Sequence, residues 1–89
     1  MVLNKRKEQM KNLVVFKAQW CQPCKMLSKT LADTDLGIPV NTVDIDNDPT
    51  ATTEFSIRGV PTILLMEGTQ VIKRQSGYMT SEQLKEFVA

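Results

Sequence analysis

The sequence predicts an α/β fold in which a central mixed four-stranded sheet is flanked by helices. Three observations carry that prediction. Short apolar runs stand at LVVF (13–16) and TILLME (62–67). Helix-start signals stand at Pro23, at Asp48-Pro49 and at Thr80. A glycine turn at Gly68 is too short to join strands in any way but antiparallel.

The elements follow in order. LVVF is β-branched and continuously apolar, as in a strand buried on both faces. Pro23 belongs in the first turn of a helix, where its missing N–H costs nothing, and Leu27 and Leu31 repeat at helical spacing while Lys25 and Lys29 face water. Gly37 and Pro39 punctuate the chain before PVNTVDI (39–45), a second strand. Asp48-Pro49 opens a short helix carrying Ala51 and Phe55 that stops before Gly59. TILLME and QVIKRQ (70–75) form the hairpin, and Gly77 ends it. Thr80 with Gln83 makes a capping box for a last helix whose apolar stripe is Leu84, Phe87 and Val88. Residues 3–11 supply at most one further short helix, anchored by Leu3 and Met10. The helix between the first two strands makes them parallel.

At 89 residues the chain has room for one hydrophobic core, so residues 1–89 are expected to be a single domain. A net charge of +1 provides no field for nucleic acid or a membrane surface. The one basic concentration (Lys5, Arg6, Lys7 and Lys11) reads as a solvated face, with a docking patch for an acidic partner as the other reading. The N-terminal segment has no apolar signal stretch and no segment approaches a membrane span, which leads to the expectation of a cytoplasmic protein, expected to be a monomer.

The only two cysteines share one hexapeptide, WCQPCK (20–25). A structural zinc site needs four ligands, and the chain has no histidine and no third cysteine. A static disulfide across so short a loop restrains little of the unfolded chain. A redox dithiol fits best, because the pair follows a strand and opens a helix in a β-α-β pattern. The unpaired N–H groups and positive dipole end of that helix favour a thiolate, which is the attacking species. Cys21, just before the helix with its sulfur free to meet solvent, is read as the nucleophile. Cys24, one turn in and more buried, is read as the resolving residue, and Pro23 stiffens the turn between them.

With those residues in view, the chain resembles the thioredoxin family from about Leu13 to the C-terminus. The anchors are VVFKAQWCQPCK (14–25), VDIDNDP (43–49), FSIRGVPT (55–62), Gly68 and Gly77. The resemblance implies a thioredoxin-like fold and a protein-disulfide reductase with no bound cofactor and no metal. A reversible Cys21–Cys24 disulfide would be recharged by an NADPH-dependent flavoprotein, a thioredoxin reductase. Disulfide-containing proteins would be the clients, ribonucleotide reductase among them. It further implies a cis-proline at Pro61. The Val60 backbone would pair with an extended substrate, and Trp20, the Val60–Thr62 loop and Gly77 would rim a groove around Cys21. Gln22, Pro23 and Lys25 complete the active-site motif.

The departures are specific. Val15 stands where the family usually carries a buried aspartate, and Thr42 where a lysine often accompanies it. Lys29 replaces a proline, Lys17 an aromatic residue, and Gln22 the glycine of a Gly-Pro dipeptide. Few residues precede LVVF, so the resemblance implies a trimmed, four-stranded version, near glutaredoxins in size. Valine cannot accept the proton that leaves Cys24, and Lys17 is a candidate for electrostatic help.

Two rivals remain: a glutaredoxin-like electron donor to ribonucleotide reductase, recharged by glutathione, and a non-enzymatic binding subunit of a larger complex. Other features read as structural. In DIDNDPTATTEF (44–55), Asp44, Asp46 and Asp48 have calcium-loop spacing, but Pro49 and Phe55 occupy the positions of the required glycine and bidentate glutamate. Trp20 beside Cys21 reads as half-buried support for the active-site loop. Tyr78 is read as a rim contact or as packing, and the methionines as core filling.

Overall fold

The structure, a computed structural model, describes residues 10–89. Its elements are β1 (Lys11–Lys17), α1 (Gln22–Ala32), β2 (Val40–Asp44), α2 (Pro49–Glu54), β3 (Thr62–Glu67), β4 (Gln70–Ser76) and α3 (Ser81–Val88). The sheet is mixed, in the order β2-β1-β3-β4, with β1 parallel to β2 and antiparallel to β3, and β3 antiparallel to β4. The α/β class, the mixed four-stranded sheet and the strand directions expected from the sequence are therefore present.

Two expectations shift. β1 begins at Lys11, two residues before the apolar run, because Lys11 and Asn12 pair with Glu67 and Met66 of β3. The helix expected over 3–11 thus loses its last residue to a strand, and the remainder of that expectation falls on residues 1–9, outside the described residues. Phe55 caps α2 instead of continuing it.

Alternation along β1 sorts its side chains between two cores. Leu13 and Val15 join Ile63, Leu65, Leu27, Met79 and Leu84 on one face, under α1 and α3. Phe16 joins Leu64 and Met66 on the other, where Ala51 of α2 and its capping residue Phe55 pack. There the Phe16 and Phe55 rings meet at 5.8 Å and a 58° tilt, a tilted-pair geometry that aromatic rings favour. Both faces of the central strands are dry, which explains why β3 reads as a run of five buried residues, Thr62 to Met66. The hairpin closes through Gly68 at φ +62, a value that only glycine adopts without strain. A register shift opposite Leu65 and Met66 leaves Ile72 as an extra residue in β4, a bulge in this edge strand.

The capping signals are realised. The Thr80 hydroxyl accepts the Gln83 N–H at 3.2 Å, and the Gln83 side chain accepts the Thr80 N–H at 2.9 Å. Asp48 accepts the Ala51 N–H at the start of α2. Parallel pairing of β1 with β2, each ending at the same level, carries the strand ends Lys17 and Asp44 and the loops after them to one edge of the molecule. The functional site lies there.

Candidate active site

Cys21 is the N-cap of α1, with an extended backbone (φ −96, ψ 111), so its side chain can turn back over the first helical turn. Its Sγ accepts the Cys24 N–H at 3.2 Å. Its own N–H donates to the Ala18 carbonyl at 3.2 Å, and its carbonyl accepts the Lys25 N–H at 3.3 Å. Pro23 lies in the first turn, as its fixed φ favours. Cys21 and Cys24 are disulfide-bonded, with Cα atoms 5.2 Å apart. A sulfur in the N-cap position receives a helix N–H whether it is bonded to its partner or carries charge as a thiolate.

The pair sits in a small apolar cluster of its own. Ala18 is buried with it, and Ile45 just after β2 and Val60 from the loop before β3 pack against this cluster. Here the structure corrects the sequence reading: Cys21 is not freely exposed. It is 5% accessible against 2% for Cys24. Two of those walls, Ile45 and Val60, come from segments distant in sequence, so local context could not reveal them. Position in the helix, rather than burial, is what separates the two sulfurs.

Trp20 is also corrected. It is not half-buried but 68% exposed, and its indole N–H donates to the Asp46 carboxylate at 3.1 Å. That bond holds the ring to the loop after β2. Asp46 was missed by sequence reasoning because its partner lies 26 residues away. The three acids with calcium-loop spacing each have a structural partner: Asp44 accepts the Asp46 N–H, Asp46 the Trp20 indole, and Asp48 the Ala51 N–H.

On the opposite side of the pair, the Val60–Pro61 peptide bond is cis. Pro61 and Thr62 are buried, and the Thr62 hydroxyl donates to the Gly59 carbonyl at 2.7 Å, tying down the base of the loop. Gly77, at φ +93, donates its N–H to the Pro61 carbonyl at 2.9 Å. The structure therefore brings Val60 against the cysteine pair and Gly77 against Pro61, while Trp20, Gln22 and Lys25 stand exposed. Tyr78 is exposed and bonds through its hydroxyl to Thr30 of α1 at 2.7 Å.

A disulfide-bonded cysteine pair that opens a helix after a strand of a mixed sheet is the arrangement of a thiol–disulfide oxidoreductase. Comparison with known proteins assigns the family. A thioredoxin family model matches residues 2–89. The chain is 35% identical over 80 residues to the thioredoxin of Buchnera aphidicola subsp. Baizongia pistaciae, covering 85% of this chain and 73% of that one. It is 35% identical over 82 residues to the thioredoxin of Alicyclobacillus acidocaldarius, covering 86% and 77%. Among solved structures, thioredoxin-2 of the malaria parasite superposes with a TM-score of 0.81 at 26% identity, covering 89% of this chain and 81% of that one. A mutant thioredoxin of Halobacterium salinarum superposes at 0.79 with 28% identity, covering 97% and 79%. The chain belongs to the thioredoxin family and is a protein-disulfide oxidoreductase. Among the described residues, no helix is long and apolar enough to cross a membrane.

Proposed function

We propose that the chain is a reductase of protein disulfides. The Cys21 thiolate attacks a client disulfide and forms a mixed disulfide. Cys24 then attacks Cys21, releasing the reduced client and leaving Cys21–Cys24 oxidised. The observation that carries this order is the N-cap geometry: the Cys24 N–H points at the Cys21 sulfur at 3.2 Å, so the helix N-terminus stabilises charge on Cys21.

The groove is proposed to run over Cys21 between Trp20 and the Val60–Thr62 loop, reaching Gly77. None of the hydrogen bonds among the described residues uses the Val60 backbone, which supports its pairing with an extended client segment. Electrons come from an NADPH-dependent flavoprotein reductase in the cytoplasm, ribonucleotide reductase is one client, and the chain acts as a monomeric single domain without a metal.

The test is insulin reduction in two arms, one with a thioredoxin reductase and NADPH, the other with glutathione, glutathione reductase and NADPH. Turnover in the first arm alone is expected; turnover in the second alone would establish the glutaredoxin-like reading instead. Cys24→Ser is expected to accumulate mixed disulfides with clients and Cys21→Ser to trap almost none. A double Cys→Ser variant that kept its biological activity would point to a non-enzymatic binding subunit.

A further inference from the structure

Resolution of the mixed disulfide requires Cys24 to lose a proton, and Val15, on the sheet face under the helix that carries Cys24, cannot accept one. Val15 is 2% accessible and packs with Leu27 in the core under α1. The walls contributed by Ala18, Ile45 and Val60 are apolar. On its remaining side, Cys24 lines a pocket of about 480 Å³ together with Lys17, Ala18, Gln19, Lys25, Ser28 and Asp44. Such a pocket is polar enough, and far larger than a single water requires, to be wet.

The sheet register explains why charge gathers there. In the parallel pairing of β1 with β2, Val15 is opposite Thr42, and Lys17 is opposite Asp44. Residues two apart share a face, so the Lys17–Asp44 pair lies one pleat beyond Val15–Thr42, toward the cysteines. Both are half-buried, and Asp44 uses one carboxylate oxygen, Oδ1, to accept the Asp46 N–H at 2.9 Å. The other charged groups near Cys24 are accounted for. Lys25 on α1 lines the pocket from its exposed rim, Asp46 is engaged by Trp20, and the loop before β3 presents Val60.

We propose that Asp44 is the proton acceptor for Cys24, acting through pocket water, and that the Lys17 ammonium beside it favours the Cys24 thiolate. The inference rests on the disulfide-reductase reading above and adds a residue to it. The Cys24 S–H proton passes to water and on to the Asp44 carboxylate. The Cys24 thiolate attacks the Cys21 sulfur, a Cys21–Cys24 bond forms, and the bond from Cys21 to the client breaks. The client sulfur leaves with the electron pair and is protonated from Asp44 or solvent. The dithiol of the chain is oxidised and the client disulfide is reduced.

The test follows the reaction of the fully reduced chain, in excess, with dithiobisnitrobenzoate in a stopped-flow spectrometer. The first release of thionitrobenzoate reports Cys21 attack and the second reports resolution by Cys24. Asp44→Asn keeps a carbonyl for the Asp46 N–H and removes the base. It is expected to leave the first release unchanged and to slow the second about tenfold near neutral pH. Asp44→Glu is expected to restore most of the lost rate. In a Cys21→Ser background, Asp44→Asn should lower the Cys24 thiol pKa, since a negative neighbour is gone. A purely electrostatic role would therefore accelerate the second release. The base and the bystander charge thus predict opposite signs, and a second release that is unchanged or faster overturns the proposal. Lys17→Met leaves the carboxylate in place and is expected to raise the Cys24 thiol pKa by about half a unit. An unmoved pKa would remove Lys17 from the site. Absence of the first release in the unmodified chain would instead overturn the reductase reading itself.

Discussion

Val15 shows how one side chain divides the labour of stability from that of chemistry. On β1 it is buried with Leu13, Leu27, Ile63 and Leu65 in the larger core. A carboxylate there would be desolvated without a partner. Val15→Asp is therefore expected to lower stability by about 3 kcal/mol or more near neutral pH. The sign of its pH dependence follows from burial, which raises the folded-state pKa of the introduced carboxyl above its unfolded value of about 4. The folded state then holds the proton more tightly, so the deficit is smallest in acid and grows as pH rises through that value. Urea unfolding of both proteins at two pH values checks this. A deficit that shrank with rising pH would mean that the carboxylate had found a cation. Trp20 shows the opposite case, a large ring kept out of the core and fixed at its rim by one bond to Asp46.

At the scale of elements, α3 was the most legible part of the chain. Thr80 and Gln83 are close in sequence, and both bonds of the capping box form between them. Thr80→Ala is expected to cost about 1 kcal/mol, measured as a shift in the urea midpoint at unchanged slope. Thr80→Ser should recover nearly all of it, and a loss equal in both variants would mean that packing of the threonine methyl, not the cap, was removed. The β3–β4 hairpin and the cysteine-bearing start of α1 were legible for the same reason: their signals are local. What was not legible depends on partners far along the chain. The first residues of β1, Lys11 and Asn12, are strand because β3 is beside them. Cys21 is buried because Ile45 and Val60 arrive from two other segments. The pocket behind Cys24 needs the β1–β2 register before Lys17 and Asp44 can be seen as neighbours. Position and type of element were readable; the walls and the charges of the site were not.

At the scale of the whole molecule, the disulfide and the fold make separate contributions to stability. The hydrophobic clusters under α1 and α3 and under α2 draw on every element of the described chain except the exposed edge strand β4, whereas the Cys21–Cys24 bond joins residues only three apart. Loop closure over so few residues restrains the unfolded chain by about 2 kcal/mol on the entropic account. The reduced form recovers part of that difference, because the N-cap N–H and the helix dipole at Cys21 favour a thiolate by about 0.3–1 kcal/mol. Reduction with dithiothreitol is therefore expected to lower unfolding stability by less than about 2 kcal/mol, with one cooperative transition in both redox states. By the thermodynamic cycle, that difference also sets how much the fold changes the reduction potential of the pair, about 30 mV for each 1.4 kcal/mol. A small difference is what a carrier needs, since it must pass through both redox states without unfolding in either. Parallel urea titrations of the oxidised and reduced chain decide the matter. Loss of the cooperative transition on reduction would make the pair a structural staple and remove the basis for a catalytic cycle.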